Sequence, residues 1–207
     1  MSNDAIVYVV DDDDAVRDSL KVLLQSDGLT AQVYASGREF MDSYNADIAG
    51  CLLLDVQLPD MNGLEMQLEL ANKQIKLPII IITGYADVPI AVKALKAGAV
   101  DFIEKPFSDD TILASVRTAL EIGNREHREQ ASLLEAKESL QRLTNRERQV
   151  LEQLVMGRLN KVIAFELGIS ARTVEIHRAR IMEKMKARSL AHLVRLALAL
   201  GIRPELP

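Results

Sequence analysis

Tryptophan is absent from this 207-residue sequence, cysteine occurs once, and aromatic residues make up only 4% of the chain. Because one thiol cannot form an internal disulfide, the sequence excludes a disulfide-stapled secreted domain and favours a reducing compartment. No apolar run approaches the roughly 20 residues that a membrane-spanning helix needs, and no basic-then-apolar leader opens the chain. We therefore expect a cytoplasmic protein that does not enter a membrane, with Cys51 as a buried and inert thiol.

Apolar residues are plentiful, and charge is unevenly distributed. The apolar fraction of 48% is enough for a packed core. The net charge of −5 hides a division: residues 1–120 hold 19 acidic and 9 basic residues, a net of −10, whereas residues 144–207 hold 6 acidic and 12 basic residues, a net of +6. This division indicates two modules with different partners, and the basic one is suited to nucleic acid. Charge alone also fits two domains that carry it for solubility.

Strand and helix patterns alternate along the first 121 residues. Short apolar runs predict strands at 6–10, 31–34, 51–54, 79–82 and 100–103. Helical periodicity lies between them, at about 14–26, 36–44, 63–73, 86–97 and 108–121. This order predicts a parallel sheet with helices on both faces. In such sheets a ligand site lies beyond the carboxyl ends of the strands.

Helical patterns alone follow residue 121. Residues 121–143 are rich in helix formers, and a stripe of Leu133, Ala136, Leu140 and Leu143 fits either a short two-stranded coil or a lone solvated helix. Residues 144–201 then predict four helices. Their expected N-terminal caps are a capping box of Thr144 with Glu147, followed by Asn160, Ser170 and Ser189.

Acidic residues follow two of the predicted strands. In "AIVYVVDDDDAVRDSL", Asp11 and Asp12 end the first strand, and in "CLLLDVQLPDMNG" Asp55 ends the third. Three neighbouring carboxylates raise one another's pKa unless a cation neutralises them. Mg²⁺ suits such a place, with Mn²⁺ as a possible substitute, and the backbone carbonyl of Gln57 is an expected further ligand. Asp13 and its neighbour Asp14 need only a structural explanation, as a helix cap and a first-turn charge.

Two further polar residues follow the fourth and fifth strands. Thr83 ends the run in "IIIITGYADVP", and Lys105 follows the run in "VDFIEKPF". A cation, a lysine and a hydroxyl form a set that handles phosphate, because phosphoryl transfer depends on positioning and charge neutralisation. We therefore expect Asp55 to be a nucleophile that forms an acyl phosphate, with Lys105 and Thr83 contacting the phosphoryl oxygens. Pro106 permits a cis peptide bond that would direct Lys105 inward.

The segments "VVDDD", "LLLDVQLPDMNG" and "IIIITGYADVPIAVKALKAGAVDFIEKPF" resemble the receiver domain of two-component response regulators, and the last is similar to the FixJ branch. The resemblance covers roughly residues 4–122 and implies a flavodoxin-like fold with strand order 2-1-3-4-5. It implies phosphorylation of Asp55 by a sensor histidine kinase, followed by movement of Thr83 and inward rotation of Phe102. It also implies that Gln57 and Tyr85 control the lifetime of the acyl phosphate.

The basic end contains a predicted helix-turn-helix, "NKVIAFELGISARTVEIHRARIMEKM", with its turn at Gly168. At about 100° per residue, Val174, Ile181 and Met185 share one face of the second of these helices and are expected in the core. Residues on and beside the opposite face are expected to contact DNA: Lys161, Arg172, Thr173, Glu175, Ile176, His177, Arg178, Ala179 and Arg180. A helical bundle that binds protein is the alternative.

The stretch "LTNRERQVLEQLVMGRLNKVIAFELGISARTVEIHRARIMEKMKARSL" is similar to the LuxR-type DNA-binding domain. That resemblance places the base-reading positions at Glu175, Ile176 and Ala179. It also implies that the last helix, 190–200, pairs two such domains on DNA, although its leucines must also cover its own core.

The combined prediction is an α/β flavodoxin-like receiver at 1–122, a helical linker at 123–141 and an all-α four-helix LuxR-type domain at 142–207. Such a chain would be a transcription regulator, expected to activate, that forms a homodimer when phosphorylated. Its expected partners are a sensor histidine kinase, double-stranded promoter DNA and RNA polymerase.

Two other functions compete with this prediction. One is a magnesium-dependent phosphatase or phosphotransferase, but Gln57 stands two residues after Asp55, where a related class has an acid–base aspartate. Turnover of external substrates is therefore not expected, apart from the chain's own phosphorylation and dephosphorylation. The other is a scaffold whose acidic pocket is silent.

Overall fold

The computed structural model describes residues 5–84 and 87–203. Tyr85, one of the residues expected to control the acyl phosphate, lies outside the described residues. Contacts within the chain divide it into two compact units, Met1–Arg128 and Glu129–Pro207. The predicted limits of receiver, linker and DNA-binding domain stay a prediction.

The first unit contains a five-stranded parallel sheet in the order β2-β1-β3-β4-β5. Its strands are β1 Ile6–Val10, β2 Thr30–Tyr34, β3 Gly50–Asp55, β4 Ile79–Thr83 and β5 Asp101–Glu104. The helices that alternate with them are α1 Asp14–Ser26, α2 Gly37–Ser43, α3 Gly63–Asn72 and α4 Val88–Lys96, with α5 following β5. The predicted flavodoxin-like architecture is therefore confirmed, and each predicted strand lies within one residue of its position.

The central strands are apolar throughout because helices cover both faces of the sheet. Alternate residues of one strand enter different cores: Tyr8 and Val10 join the cluster that includes Phe40, whereas Val7 and Val9 join the cluster that includes Leu20. Cys51 lies in the second cluster with no exposed surface, so its predicted burial is confirmed. Burial raises the pKa of its thiol, which is in keeping with the expected low reactivity.

Helix α5 runs without interruption from Asp109 to Gln141, across a helix predicted at 108–121 and the helical segment predicted after it. The glycine within it, Gly123, lies where the helix crosses the start of β3 closely. A Cβ atom at this position would come within 2.3 Å of the carbonyl oxygen of Gly50. Gly123 therefore allows close packing of helix on sheet instead of ending the helix.

The second unit contains the last part of α5 and four further helices, α6 Asn145–Val155, α7 Asn160–Leu167, α8 Ala171–Lys184 and α9 Leu190–Ala199. Ala136 and Leu143 are buried in its core, and Leu140 packs against them, whereas Leu133 is 36% exposed. Neither sequence-based interpretation of this stripe is correct, because most of it is covered by the unit's own helices. In the described residues no helix combines the length and apolarity that crossing a membrane requires.

Three of the four predicted helix caps in this unit are confirmed, and one is wrong. Thr144 and Glu147 form the capping box, and Ser170 and Ser189 cap α8 and α9. The cap of α7 is Leu159, which makes no side-chain cap hydrogen bond. Asn160 was expected there, but its Oδ1 instead accepts a hydrogen bond of 2.7 Å from Nη1 of Arg178.

Candidate functional sites

Three carboxylates converge at the carboxyl edge of the sheet, as the strand order predicts. β1 and β3 are neighbours with Val10 opposite Leu54, so the residues that follow, Asp11 and Asp55, lie side by side. One carboxylate oxygen from each of Asp11, Asp12 and Asp55 lies within 4.8 Å of the other two. Asp11 and Asp55 are buried and Asp12 is exposed, so the cluster opens to solvent on the Asp12 side. Oxygen ligands at this spacing fit a hard divalent cation.

Lys105 joins the two buried carboxylates. Its Nζ donates to Oδ2 of Asp11 at 2.6 Å and to Oδ2 of Asp55 at 2.8 Å. Burial works to lower the pKa of Lys105, but the hydrogen bonds and charges of these two partners raise it overall. Burial raises the pKa of Asp11 despite its contact with Lys105. Three carboxylates surround one ammonium group, so the site can accommodate more positive charge. The Lys105–Pro106 peptide is cis.

The other residues expected in this pocket lie around it. Thr83 ends β4 and is buried, one residue beyond Ile82, which pairs with Asp55. The backbone N–H of Gln57 donates to Oδ1 of Asp55 at 3.3 Å, while its side chain is exposed. Phe102 lies on the edge strand β5 and packs, partly buried, against the cluster that includes Tyr8.

Arg17 and Asp60, which the sequence does not predict as site residues, support the loops of this pocket. Nη1 of Arg17 donates to the backbone carbonyl of Asp11 at 2.6 Å. Asp60, on the loop after β3, accepts from the backbone N–H groups of Gly37 at 3.2 Å and Arg38 at 2.8 Å. Burial works to raise the pKa of Asp60, but these backbone hydrogen bonds lower it overall. Neither role has a sequence signal, because each depends on a contact between a side chain and a distant or irregular backbone segment.

The expected DNA-reading helix, α8, has one buried and one exposed face. Val174, Ile181 and Met185 are buried in the core of the second unit, as the helical wheel predicts. The opposite face is exposed and carries Arg172, Glu175, Ile176, Ala179 and Arg180, and Lys161 is exposed on α7. Ile176, at 46% exposure, is an apolar side chain on this otherwise largely polar face.

Three of the residues expected to contact DNA, Thr173, His177 and Arg178, are partly buried, and their side chains contact other parts of the second unit or face its interior. Arg178 is hydrogen-bonded to Asn160. The Thr173 hydroxyl lies 2.8 Å from the Ser170 hydroxyl. His177 has a buried Nδ1 atom that meets no hydrogen-bond partner among the described residues. In this structure these three side chains are therefore less available to DNA than Arg172, Arg180 and Lys161.

Family models match both parts of the chain. Residues 7–117 match the response regulator receiver domain, and residues 141–197 match the luxR family of bacterial regulatory proteins. The transcriptional regulatory protein FixJ of Azorhizobium caulinodans is 48% identical over 198 residues, which cover 96% of this chain and 94% of FixJ. The response regulator protein TodT of Pseudomonas putida is 43% identical over 191 residues, which cover 92% of this chain and 84% of TodT.

Solved structures show the same architecture. The response regulator StyR superposes with a TM-score of 0.80 at 37% identity, covering 94% of this chain and 98% of StyR. Full-length FixJ from B. japonicum gives a TM-score of 0.56 at 41% identity, covering 96% of this chain and 98% of that one. These similarities extend over both units of the chain.

Proposed function

The chain belongs to the response regulators and is a transcription regulator with a receiver domain and a LuxR-type DNA-binding domain, and from this we propose that phosphorylation of Asp55 switches its binding to promoter DNA. The observation that carries the proposal is the convergence of three carboxylates around Asp55 with Lys105 beside them. The phosphoryl group comes from a sensor histidine kinase, the partner that a receiver domain implies.

The carboxylates of Asp11, Asp12 and Asp55 and the backbone carbonyl of Gln57 would hold Mg²⁺. A hard cation prefers such oxygen ligands and retains several waters. When bound, it supplies positive charge that stabilises the phosphoryl oxygens during transfer. Mn²⁺ is expected to substitute, because the same kinds of oxygen ligand suit it.

Phosphorylation would redistribute the contacts of Lys105 and Thr83. An Asp55 carboxylate oxygen attacks the phosphorus atom, the bond from phosphorus to the donor breaks, and an acyl phosphate forms. Lys105, which holds both buried carboxylates, then pairs with a phosphoryl oxygen. The Thr83 hydroxyl donates to another phosphoryl oxygen, and Phe102 turns further into the core. Gln57 has no acid–base group, so the chain would catalyse only its own phosphorylation and dephosphorylation.

The consequence for DNA follows from effective concentration. Phosphorylated receivers would form a homodimer, and two DNA-binding domains would then occupy a two-fold site in promoter DNA. Recruitment of RNA polymerase to that promoter would make the protein an activator, acting in the cytoplasm.

Labelling with acetyl phosphate in the presence of Mg²⁺ tests the phosphorylation site. Asp55→Asn is expected to remove all labelling in intact-mass spectrometry, because an amide lacks the nucleophilic carboxylate. Asp42→Asn, an exposed aspartate of α2, is the matched control and should label like the wild type. Labelling that persists in Asp55→Asn would contradict the assignment.

Footprinting on promoter DNA tests the switch itself. Wild-type protein treated with acetyl phosphate should protect DNA at a lower concentration than untreated protein, and Asp55→Asn should show no such difference. Equal protection with and without phosphorylation would favour the scaffold with a silent pocket.

A further inference from the structure

We propose that Arg17 is a positioning residue for the metal site, holding the β1–α1 loop so that Asp12 is directed at the cation; this rests on the proposed Mg²⁺ site. Arg17 lies in the first turn of α1 with a side chain only 12% exposed. Its Nη1 donates to the carbonyl oxygen of Asp11 at 2.6 Å, and its Nη2 forms an ion pair with Asp14.

Asp11 is fixed at every polar atom by a different partner. Its N–H donates to the carbonyl of Tyr34 at 3.2 Å, and its Oδ1 accepts from the N–H of Asp13 at 3.0 Å. Its Oδ2 accepts from Lys105. The remaining polar atom is the carbonyl oxygen, which Arg17 binds. Arg17 thus fixes the orientation of the peptide plane that joins Asp11 to Asp12.

The direction of Asp12 depends on that plane. The peptide bond is planar, so a fixed carbonyl of residue 11 also fixes the N–Cα bond of residue 12. Asp12 is exposed, in contrast to the buried Asp11 and Asp55. Residues that orient metal ligands typically contribute roughly 10- to 100-fold to metal affinity. Without Arg17, cation binding would have to order the Asp12 backbone as well.

The contact with Asp14 does not explain why Arg17 is buried. The Asp14 side chain is 89% exposed, and ion pairs at such positions contribute little. The contact with the Asp11 carbonyl is the part-buried one. The Arg17 contact also brings a positive charge to the acidic cluster without occupying a carboxylate oxygen of Asp11, Asp12 or Asp55. Lys105, in contrast, occupies one oxygen of Asp11 and one of Asp55.

Titration calorimetry with Mg²⁺ alone, at constant ionic strength, separates positioning from charge. Loss of a positive charge near a cation site strengthens cation binding, whereas loss of ligand positioning weakens it. Arg17→Met is expected to raise the Kd for Mg²⁺ about tenfold. Arg117→Met, which removes a different ion pair with Asp27, should bind Mg²⁺ like the wild type. Asp14→Asn removes the exposed ion pair and one negative charge, and it should weaken Mg²⁺ binding far less than Arg17→Met because solvent and salt screen so exposed a charge. Arg17→Lys keeps the charge and should weaken binding in the same direction, and it serves if Arg17→Met does not fold.

The rate of labelling by acetyl phosphate provides the second measurement. In Arg17→Met the rate at saturating Mg²⁺ should approach that of the wild type, while the Mg²⁺ concentration for half-maximal rate rises with the Kd. An unchanged or lower Kd in Arg17→Met and Arg17→Lys would overturn the proposal, as would a reduced maximal rate with unchanged Mg²⁺ dependence. If the wild type itself bound no Mg²⁺, the metal site of the proposed function would fail and this inference with it.

Discussion

Asp11, Asp55 and Lys105 form a buried group in which two carboxylates share one ammonium. Such a group is stable only while its charges remain compensated, because an unpaired buried charge is costly. The pocket holds three carboxylates, from Asp11, Asp12 and Asp55, against the one ammonium of Lys105, so it carries an excess of negative charge that a divalent cation can neutralise. Of the four aspartates after β1, Asp11 and Asp12 contribute to this excess, whereas Asp13 caps α1.

Removal of Lys105 tests that imbalance. Lys105→Met should lower the free energy of unfolding of the first unit by about 3 kcal/mol, because two buried carboxylates lose their partner. Saturating Mg²⁺ should restore more stability to this variant than it adds to the wild type, since the cation replaces the lost charge. Tyrosine fluorescence during urea unfolding reports on this unit, because all four tyrosines lie before residue 129 and tryptophan is absent. An equal Mg²⁺ effect on both proteins would contradict the argument.

Helix α6 illustrates how several elements depend on one polar group. Glu147 is 2% exposed, and its Oε2 accepts from the N–H and the hydroxyl of Thr144 and from Nζ of Lys184, at 2.8, 3.0 and 2.7 Å. The carboxylate therefore joins the start of α6 to the end of α8. Burial works to raise the pKa of Glu147, but Lys184 and Thr144 lower it overall. The orientation of α8, and with it the exposed face expected to read DNA, is connected to this cap.

The lowered pKa of Glu147 predicts acid sensitivity of the second unit. A carboxyl group whose pKa is lower in the folded state contributes stability above its unfolded pKa, 4.5 for a glutamate, and loses that stability as the pH falls through the folded pKa. Unfolding by urea, followed by circular dichroism, should therefore show a loss of stability below about pH 4.5. Lys184→Met should flatten that loss, because the ammonium group is one cause of the lowered pKa. An unchanged pH profile in Lys184→Met would contradict this account. Thr144→Ala, which removes the cap of α6, should lower the free energy of unfolding by about 1 kcal/mol near neutral pH.

The two ends of the chain carry opposite net charge: residues 1–120 are acidic and residues 144–207 are basic. Phosphate contacts supply affinity that does not depend on sequence, whereas contacts to base edges supply discrimination. On α8 both types of side chain share one exposed face: Arg172 and Arg180 carry charge, and Ile176 and Ala179 are apolar. The same helix can therefore provide both affinity and specificity.

Two variants of α8 separate these contributions. Arg180→Ala should weaken binding to all DNA sequences about equally and reduce the slope of log K against log salt concentration by about 1, because one phosphate contact is lost. Ile176→Ala should instead change preference at one position of the site and leave the slope unchanged, since no charge is removed. Fluorescence anisotropy with duplexes that differ at single positions measures both, and a uniform loss of affinity in Ile176→Ala would contradict its assignment to a base.

Much of the fold follows from local patterns. Continuous apolar strands, alternating helices and the capping residues Thr144, Ser170 and Ser189 act within a few residues, so they can be located along the chain. The prediction of Asn160 as the α7 cap is wrong because its side chain is engaged by Arg178, which is 18 residues away. The stripe at 133–143 was misinterpreted because spacing shows which residues share a helix face but does not show what covers that face.

The functional groups of the pocket can be predicted from residues 11, 12, 55, 83 and 105 of the sequence. Carboxylate, hydroxyl and ammonium groups at neighbouring strand ends are compatible with few functions. Their contacts depended on the folded chain: Lys105 lies 94 residues from Asp11 and 50 from Asp55. The positioning role proposed for Arg17 also depends on the folded chain. Its partner is the backbone carbonyl of Asp11, and because every residue type has a backbone carbonyl, the sequence gives no signal of this contact. Residue chemistry is local to the chain, whereas which groups share a buried space is set by the packing of segments distant in sequence.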